Sequence, residues 1–498
     1  MNQSASPFPR ILIVDLNNFA RYPTVAVGLL TAILRDADLP VEVVSPLAFG
    51  VSSVPREPRA AAWGLVESRF RHATAMSRNR LVQRARSAWV GRQHPALGSA
   101  IRDMLRTLEA TLDPGRDVVL ISAYLMYYDV CREIARICER RGIPVLGGGS
   151  YFYQPEVAAE WTKIPGVAAI VGGEVEPYLV DIVRAAFEAK PLDAFPGVWV
   201  DGRATVPAPP LLRLDELPFP DYRDFPWHRY PNRIVPMVTG RGCGWGVCSF
   251  CSDVTSTAGR SFRSRGPENV LEELELQSRR HETDLFVFTD LKLNSDAAVW
   301  NALLSRTRSR VPSARWIGAL HVTGNRPDGV SLAELRAARR AGMVRLTTGL
   351  ESGSQRMLDE MRKGTDLDTT RRFLADAATA GLSVRVTMIL GYPGERPSDV
   401  EASAAFLEEN ADRIERVALN RFALVTGSRL HRSIEREPAA FADLGALRPN
   451  HRQALLDHQF APAREPAYRR AVSRLLGAVH RINRRPIREA ASEFEGVM

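Results

Sequence analysis

Short apolar runs alternate with amphipathic helical stretches twice along this chain, and that rhythm limits the fold more than any other feature. Parallel strands joined through helices must bury both faces of their sheet, so such runs read as continuous apolar segments. In the first round the strand candidates are ILIVDL (11–16), VEVV (41–44), VVLISA (118–123), PVLG (144–147) and AAIVG (168–172). Helical patterns at 24–36, 129–141, 155–162 and 175–189 lie between them. Together they predict an α/β, doubly wound, Rossmann-like domain over residues 1–206. An Arg- and Ala-rich helical insertion, 55–112, interrupts it. Asp201-Gly202 in GVWVDGRATV (197–206) predicts a closing hairpin.

Residues 207–232 contain seven prolines and no sustained period, which marks a linker. The second round has strand candidates at 234–240, 285–290, 315–322, 344–351, 384–391 and 417–424, most of them followed by helical patterns. Six βα units with right-handed crossovers predict a partial (β/α)6 TIM-type barrel over 233–430, with its chemistry at the C-terminal strand ends. A helical C-terminal region, 431–498, follows. It and the 55–112 insertion follow the two shared domains least, and are expected to shape the substrate site.

Composition excludes several classes. With 45% hydrophobic and 25% charged residues in 498, the chain is neither disordered, collagen-like nor a disulfide scaffold. No apolar run approaches eighteen residues, so no membrane span is expected. MNQSASPFPR at the start lacks a basic n-region and an apolar h-region, so no secretory signal is read. The net charge is +9, and only four of the 66 basic residues are lysines. The arginines are dispersed through the helices, so nucleic acid is not an expected partner. An odd number of cysteines, five, without an export signal points to the reducing cytoplasm. Cys131 and Cys138, two helical turns apart, read as small buried hydrophobes.

The remaining three thiols lie in Thr239-Gly-Arg-Gly-Cys243-Gly-Trp-Gly-Val-Cys248-Ser-Phe-Cys251, just after the first barrel strand. Glycines permit the positive-φ turns that aim several sulfurs at one point. A structural zinc site needs a fourth ligand, and the nearest histidines, His228 and His281, are remote in sequence. Unrelated free thiols are seldom so crowded. A [4Fe-4S] cluster on three thiolates, with one iron left open, suits the spacing best.

With Phe250 just before the last cysteine, this segment resembles the signature of the radical S-adenosylmethionine (SAM) superfamily. One departure is plain: four residues, Gly244 to Val247, separate the first two cysteines where the usual motif has three. The longer Gly-Trp-Gly loop resembles a variant of cobalamin-linked members. The resemblance implies that SAM binds the open iron and is cleaved to a 5′-deoxyadenosyl radical. GLESGSQRMLDEMRKG (349–364) resembles the stretch whose Glu and Ser reach SAM, which implies that role for Glu351, Ser352 and Ser354. A helix cap is the alternative for the serines. MILGYPGE (388–395) resembles the motif beside the adenine, with Gly391 allowing close approach. Asp290 is either polar lining or structural.

Upstream, 17–37, 146–156 and 171–179 resemble the cobalamin domain that precedes the barrel in such enzymes. The loops at strand ends imply Asn17, Asn18, Ser122, Tyr124, Gly148, Gly149, Gly173 and Glu174 as the border of the corrin. Where methylmalonyl-type domains have Asp-x-His-x-x-Gly, this chain has Asp15-Leu-Asn17-Asn-Phe-Ala20, so no histidine is expected beneath cobalt. The resemblance implies a class B radical SAM C-methyltransferase. It would move a methyl from SAM by way of cobalamin to an unactivated carbon of a natural-product intermediate. A cyclase, ring-contraction or rearrangement enzyme without net methylation is the alternative, and a zinc-bearing nucleic-acid-binding protein a more distant one. The substrate is a small molecule, a carrier-bound intermediate or a peptide, and the electron donor is external, of flavodoxin or ferredoxin type.

Overall fold

The computed structural model describes residues 9–17, 21–75, 81, 82, 84, 85, 88, 98–252, 262–323, 328 and 330–498. Asn18 lies outside the described residues. The first sheet contains β1 (Arg10–Asp15), β2 (Val41–Val44), β3 (Asp117–Ser122), β4 (Val145–Gly148), β5 (Val167–Val171), β6 (Val198–Val200) and β7 (Arg203–Ala204). Their order is β2-β1-β3-β4-β5-β6-β7, parallel through β5 and antiparallel beyond it. Alternate residues of β1 feed two cores: Ile11 and Ile13 face the helices Val25–Asp36 and Leu179–Phe187, whereas Leu12 and Val14 face Ser99–Thr111 and Tyr128–Glu139. Cys131 and Cys138 belong to the second core. The closing hairpin turns through Asp201 and Gly202, both at positive φ (49° and 75°).

The barrel starts with β8 (Ile234–Met237). A short ribbon of β9 (Gly240–Arg241) and β10 (Arg263–Ser264) then leaves it. β11 (Leu285–Phe288), β12 (Arg315–Ala319), β13 (Met343–Glu351), β14 (Ser383–Leu390) and β15 (Arg416–Arg421) complete six parallel strands in the order β15-β14-β13-β12-β11-β8. Helices Pro267–His281, Ala297–Arg310, Leu332–Arg340, Leu367–Thr379 and Pro397–Glu409 cross between them. Several start where the sequence supplies a cap: Asp296 accepts from the amides of Ala298 and Val299, and Ser331 with Glu334 forms a capping box.

Two features depart from the expectations. The proline-rich stretch is packed rather than loose: Tyr222 is fully buried, its ring lies where a Cβ on Gly28 would stand, and its hydroxyl donates to the Pro236 carbonyl at 3.1 Å. Asp221 and Asp224 pair with Arg35 of the first domain. The C-terminal region is mainly helical but includes β16 (Leu424–Val425), β17 (Arg448–Asn450) and β18 (Leu455–Asp457), antiparallel in the order β16-β18-β17. Backbone pairing between distant segments makes these strands, and a local period cannot announce that.

The last residues of the chain lie at the other end of the barrel from the cysteine loop, whereas helix Arg429–Arg436 bonds to that loop at Ser249 and Phe460 stands beside Gly391. Ala491, Phe494 and Val497 fill the barrel mouth at the N-terminal strand ends, against Ile234, Leu285, Ile317 and Val344. In the insertion, Arg56 bonds to Gly496, and Glu57 pairs with Arg385 beside this plug. Helix Ser99–Thr111 instead covers the first sheet through Ile101, Met104 and Leu108. Those apolar residues had to be covered, which is why these segments brace the scaffold.

Candidate active site

Cys243, Cys248 and Cys251 are all partly exposed on the loop beyond β8. Burial pushes the Cys248 thiol pKa up, while the nearby Lys363 ammonium pulls it down. Lys363 is buried, with its Nζ 3.1 Å from Glu351 Oε1. Burial works against its charge, yet Glu351, Cys248 and Cys251 hold its pKa above the ordinary value. A buried cation therefore bonds to a carboxylate and is felt by the prospective thiolates.

The loop is seated by its tryptophan. Trp245 stacks on His321, with ring centroids 5.6 Å apart and planes 22° apart, and its Nε1 donates to the Arg362 carbonyl at 3.2 Å. Gly364 has φ +67°, and a Cβ there would come 2.0 Å from the Trp245 ring. His321 Nε2 lies 3.1 Å from the Lys363 carbonyl. The Ser249 amide donates to Met361, and its hydroxyl meets Tyr392 Oη at 2.8 Å. The extra loop residue thus sits in a segment anchored by the 360–364 turn. Phe250 packs partly buried against the main core.

Glu351 ends β13 at a register shift, with φ +58°. A non-glycine residue in the left-handed region is a local cost that recurs at functional sites. Ser352 and Ser354 stand beside it, but their hydroxyls are engaged: Ser352 Oγ meets Ser403 Oγ at 3.2 Å, and Ser354 Oγ donates to Asp399 Oδ1 at 2.6 Å. They tie the end of β13 to helix Pro397–Glu409. Asp290 is likewise occupied, accepting from both the amide and the hydroxyl of Thr239. Burial raises its pKa to about 6. Gly391, at φ +86°, has a single atom within 4 Å of where its Cβ would be, so the space beside it is open.

At the C-terminal edge of the first sheet lies a cavity of about 530 Å³. Ser122, Gly148, Gly149, Gly173 and Glu174 line it. Asn17 joins this edge by donating from Nδ2 to Ser122 Oγ at 2.6 Å, and Tyr124 stands about half exposed after β3. The opposite wall includes Gly240, Arg241 and Gly242, and so ends one residue before Cys243. Glu174 also ties the domains together: Arg263 grips it with two 2.6 Å bonds, and the Leu211 amide donates to it at 2.6 Å. Burial alone would raise its pKa, but Arg263 and Arg241 hold it below the usual carboxylate range. Glu176 pairs with Arg241.

Lys363, His321, Arg241 and Arg263 were not singled out from sequence, and Trp245 only as part of the Gly-Trp-Gly loop. Lys363 could have been, as one of four lysines in an arginine-dominated chain and within the 349–364 motif. For the others only the fold supplies the signal.

Among the described residues no three His, Cys, Asp or Glu side chains converge on a single-ion site. A cubane instead binds each thiolate to a separate iron, and three thiols in one glycine-rich loop suit it. Open space at Gly391 and the paired charges of Glu351 and Lys363 suit an amino-acid nucleotide, and the glycine-lined cavity suits a planar macrocycle.

Residues 237–407 match the family described as the Radical SAM superfamily. The match covers the barrel, and the chain as a whole is similar in fold to two-domain enzymes of known structure. Its fold is similar to that of TsrM from Kitasatospora setae, a radical S-adenosylmethionine methyltransferase solved with cobalamin and a 4Fe–4S cluster. The TM-score is 0.61 at 18% identity, covering 89% of this chain and 81% of that one. The cobalamin-dependent S-adenosylmethionine radical enzyme OxsB gives a TM-score of 0.65 at 15% identity, over 91% of this chain and 64% of that one. Among curated relatives, an uncharacterized methyltransferase of Pyrococcus horikoshii is 27% identical over 286 residues, 56% of this chain and 60% of that one. The anaerobic magnesium-protoporphyrin IX monomethyl ester cyclase of Rubrivivax gelatinosus is 26% identical over 317 residues, 60% of this chain and 55% of that one. The chain thus spans less than two thirds of the length of either relative. No helix among the described residues is long and apolar enough to cross a membrane.

Proposed function

We propose that this protein is a cobalamin-dependent radical SAM C-methyltransferase acting on a natural-product intermediate in the reducing cytoplasm. One observation carries the reading: the glycine-lined cavity at the edge of the first sheet and the three-thiol loop share a wall, at Arg241 and Gly242. When bound, the cluster with SAM supplies a radical that takes hydrogen from carbon, and the corrin supplies a methyl carrier.

The chain's own residues hold and orient these groups. Cys243, Cys248 and Cys251 hold the cluster, on a loop positioned by Trp245. Glu351 and Lys363 offer a carboxylate and an ammonium to the charged amino-acid end of SAM. Gly391 leaves room for the adenine. Gly148, Gly149 and Gly173 let backbone approach the corrin, and Asn17, held by Ser122, stands where other cobalamin domains carry their histidine. The ion pairs of Glu174 and Glu176 with Arg263 and Arg241 keep the two sites at a set separation, which is what orients a substrate between them.

A second reading, cyclisation or rearrangement without net methylation, is favoured by the similarity to the Rubrivivax gelatinosus cyclase. A substrate-free experiment separates the two. Reconstituted protein is incubated anaerobically with trideuteromethyl-SAM, cobalamin and dithionite, and the extracted corrin is weighed. A corrin carrying the CD3 group supports methyl transfer. An unlabelled corrin alongside 5′-deoxyadenosine formation refutes it in favour of the second reading.

A further inference from the structure

A second cavity, of about 630 Å³, lies on the outer side of the cysteine loop. Its walls are Ser249, the turn carrying Glu360 and Arg362, and the helix Arg429–Arg436. Four arginines line it against two glutamates. One of those, Glu435, lies 3.6 Å from His431. Arg362, Arg432 and Arg436 are exposed and pair with no carboxylate among the described residues. Some helix arginines elsewhere are matched, as Arg474 is by Glu401 and Glu408 and Arg310 by Glu268 and Glu275, and others such as Arg336 and Arg470 stand exposed; what marks this patch is that three gather around one depression. Three unmatched guanidinium groups around one depression repel one another and favour an anionic visitor.

The position of the patch says what it is for. Ser249 sits between Cys248 and Cys251, and its carbonyl accepts a hydrogen bond of 2.9 Å from the Leu430 amide at the start of the arginine helix. A short route of one hydrogen bond and a few covalent bonds therefore joins this surface to two of the three thiols. The corrin cavity is on another wall of the loop, lined by a different set of residues. An electron arriving here need not cross the space assigned to SAM, corrin or substrate.

We propose that this arginine-lined face is the docking site of the electron donor, a small acidic flavodoxin-type carrier. The inference rests on the cluster reading above and adds where the partner binds and by what chemistry. In the step, the fully reduced carrier is oxidised by one electron and the cluster is reduced by one; no bond forms or breaks. Complementary charge sets the encounter rate, so the patch acts on association more than on the cluster itself.

The test uses the reconstituted full chain, fully reduced flavodoxin as probe and anaerobic stopped-flow detection of flavin oxidation. At low ionic strength, Arg432→Glu with Arg436→Glu lowers the bimolecular rate by about tenfold or more, and the paired Gln substitutions lower it less. The difference collapses in about 0.5 M salt, where charges are screened over a few ångströms. Reduction by dithionite, which needs no docking face, stays at the parent rate in every variant. Equal flavodoxin rates for parent and double variant at low salt overturn the proposal, as does a parent that dithionite reduces and flavodoxin does not. Inhibition of the parent by inorganic phosphate at constant ionic strength would assign the pocket to a phosphate-bearing small molecule and overturn it too. A protein that takes up no iron or sulfide sinks the underlying reading itself, an outcome visible before any flavodoxin is added.

Discussion

Glu395 shows how one buried carboxylate can hold the turn at Gly391. Its Oε2 accepts from the Gly391 amide at 2.7 Å and from the Tyr468 hydroxyl. Burial raises its pKa from 4.5 to about 7, although both donors favour the ionised form. The folded chain therefore holds this proton more tightly than the unfolded one, and the group's contribution to stability falls as pH rises through about 7. Tyr468→Phe removes a donor that matters most to the ionised carboxylate, and costs about 1.5–3 kcal/mol above that pH. Thermal melts should show a larger loss of Tm at pH 8 than at pH 5.5; equal losses would refute the assignment. At this scale the sequence was a partial guide. The thiol loop and the turns at Glu351 and Gly391 could be located in the sequence because their motifs are contiguous. The engagement of Ser352 by Ser403 and of Glu174 by Arg263 was not, because each partner arrives through a crossover or from the other domain.

Among the elements, strands and helices were the legible part. Continuous apolar runs and amphipathic periods bring the strand and helix assignments within a few residues of those observed, since burial on one or both faces dictates them. Segments without a period were harder to read. The stretch 207–232 carries proline signals of a linker, and the fold turns it into a strap whose Tyr222 fits the hollow left by Gly28. Tyr222→Ala should cost about 3–5 kcal/mol, since it deletes a fully buried ring, and should speed proteolysis within 207–232. Tyr222→Phe, which loses only the bond to Pro236, should cost about 1 kcal/mol. A variant Ala protein as resistant to protease as the parent would show the strap to be a tether after all.

For the whole molecule, one continuous core runs from the first sheet through Tyr222, Phe225 and Tyr230 into the barrel. The two halves are thereby held as one scaffold, with the cysteine loop facing the glycine edge. The far mouth of the barrel is closed by Phe494, which is fully buried. Phe494→Ala should cost about 3–5 kcal/mol and raise amide exchange at Ile234 and Leu285. Exchange left unchanged there would mean that the plug is not what closes this end. The sequence by itself determined two parallel α/β units, their order and the thiol loop, because periodicity and local spacing are properties of contiguous residues. Only the tertiary structure decided that the insertion and the chain end brace the barrel, that Lys363 stands beside the thiols, and that two remote strand edges enclose one cavity. Those arrangements come from contacts between residues far apart in the chain, which no local pattern encodes.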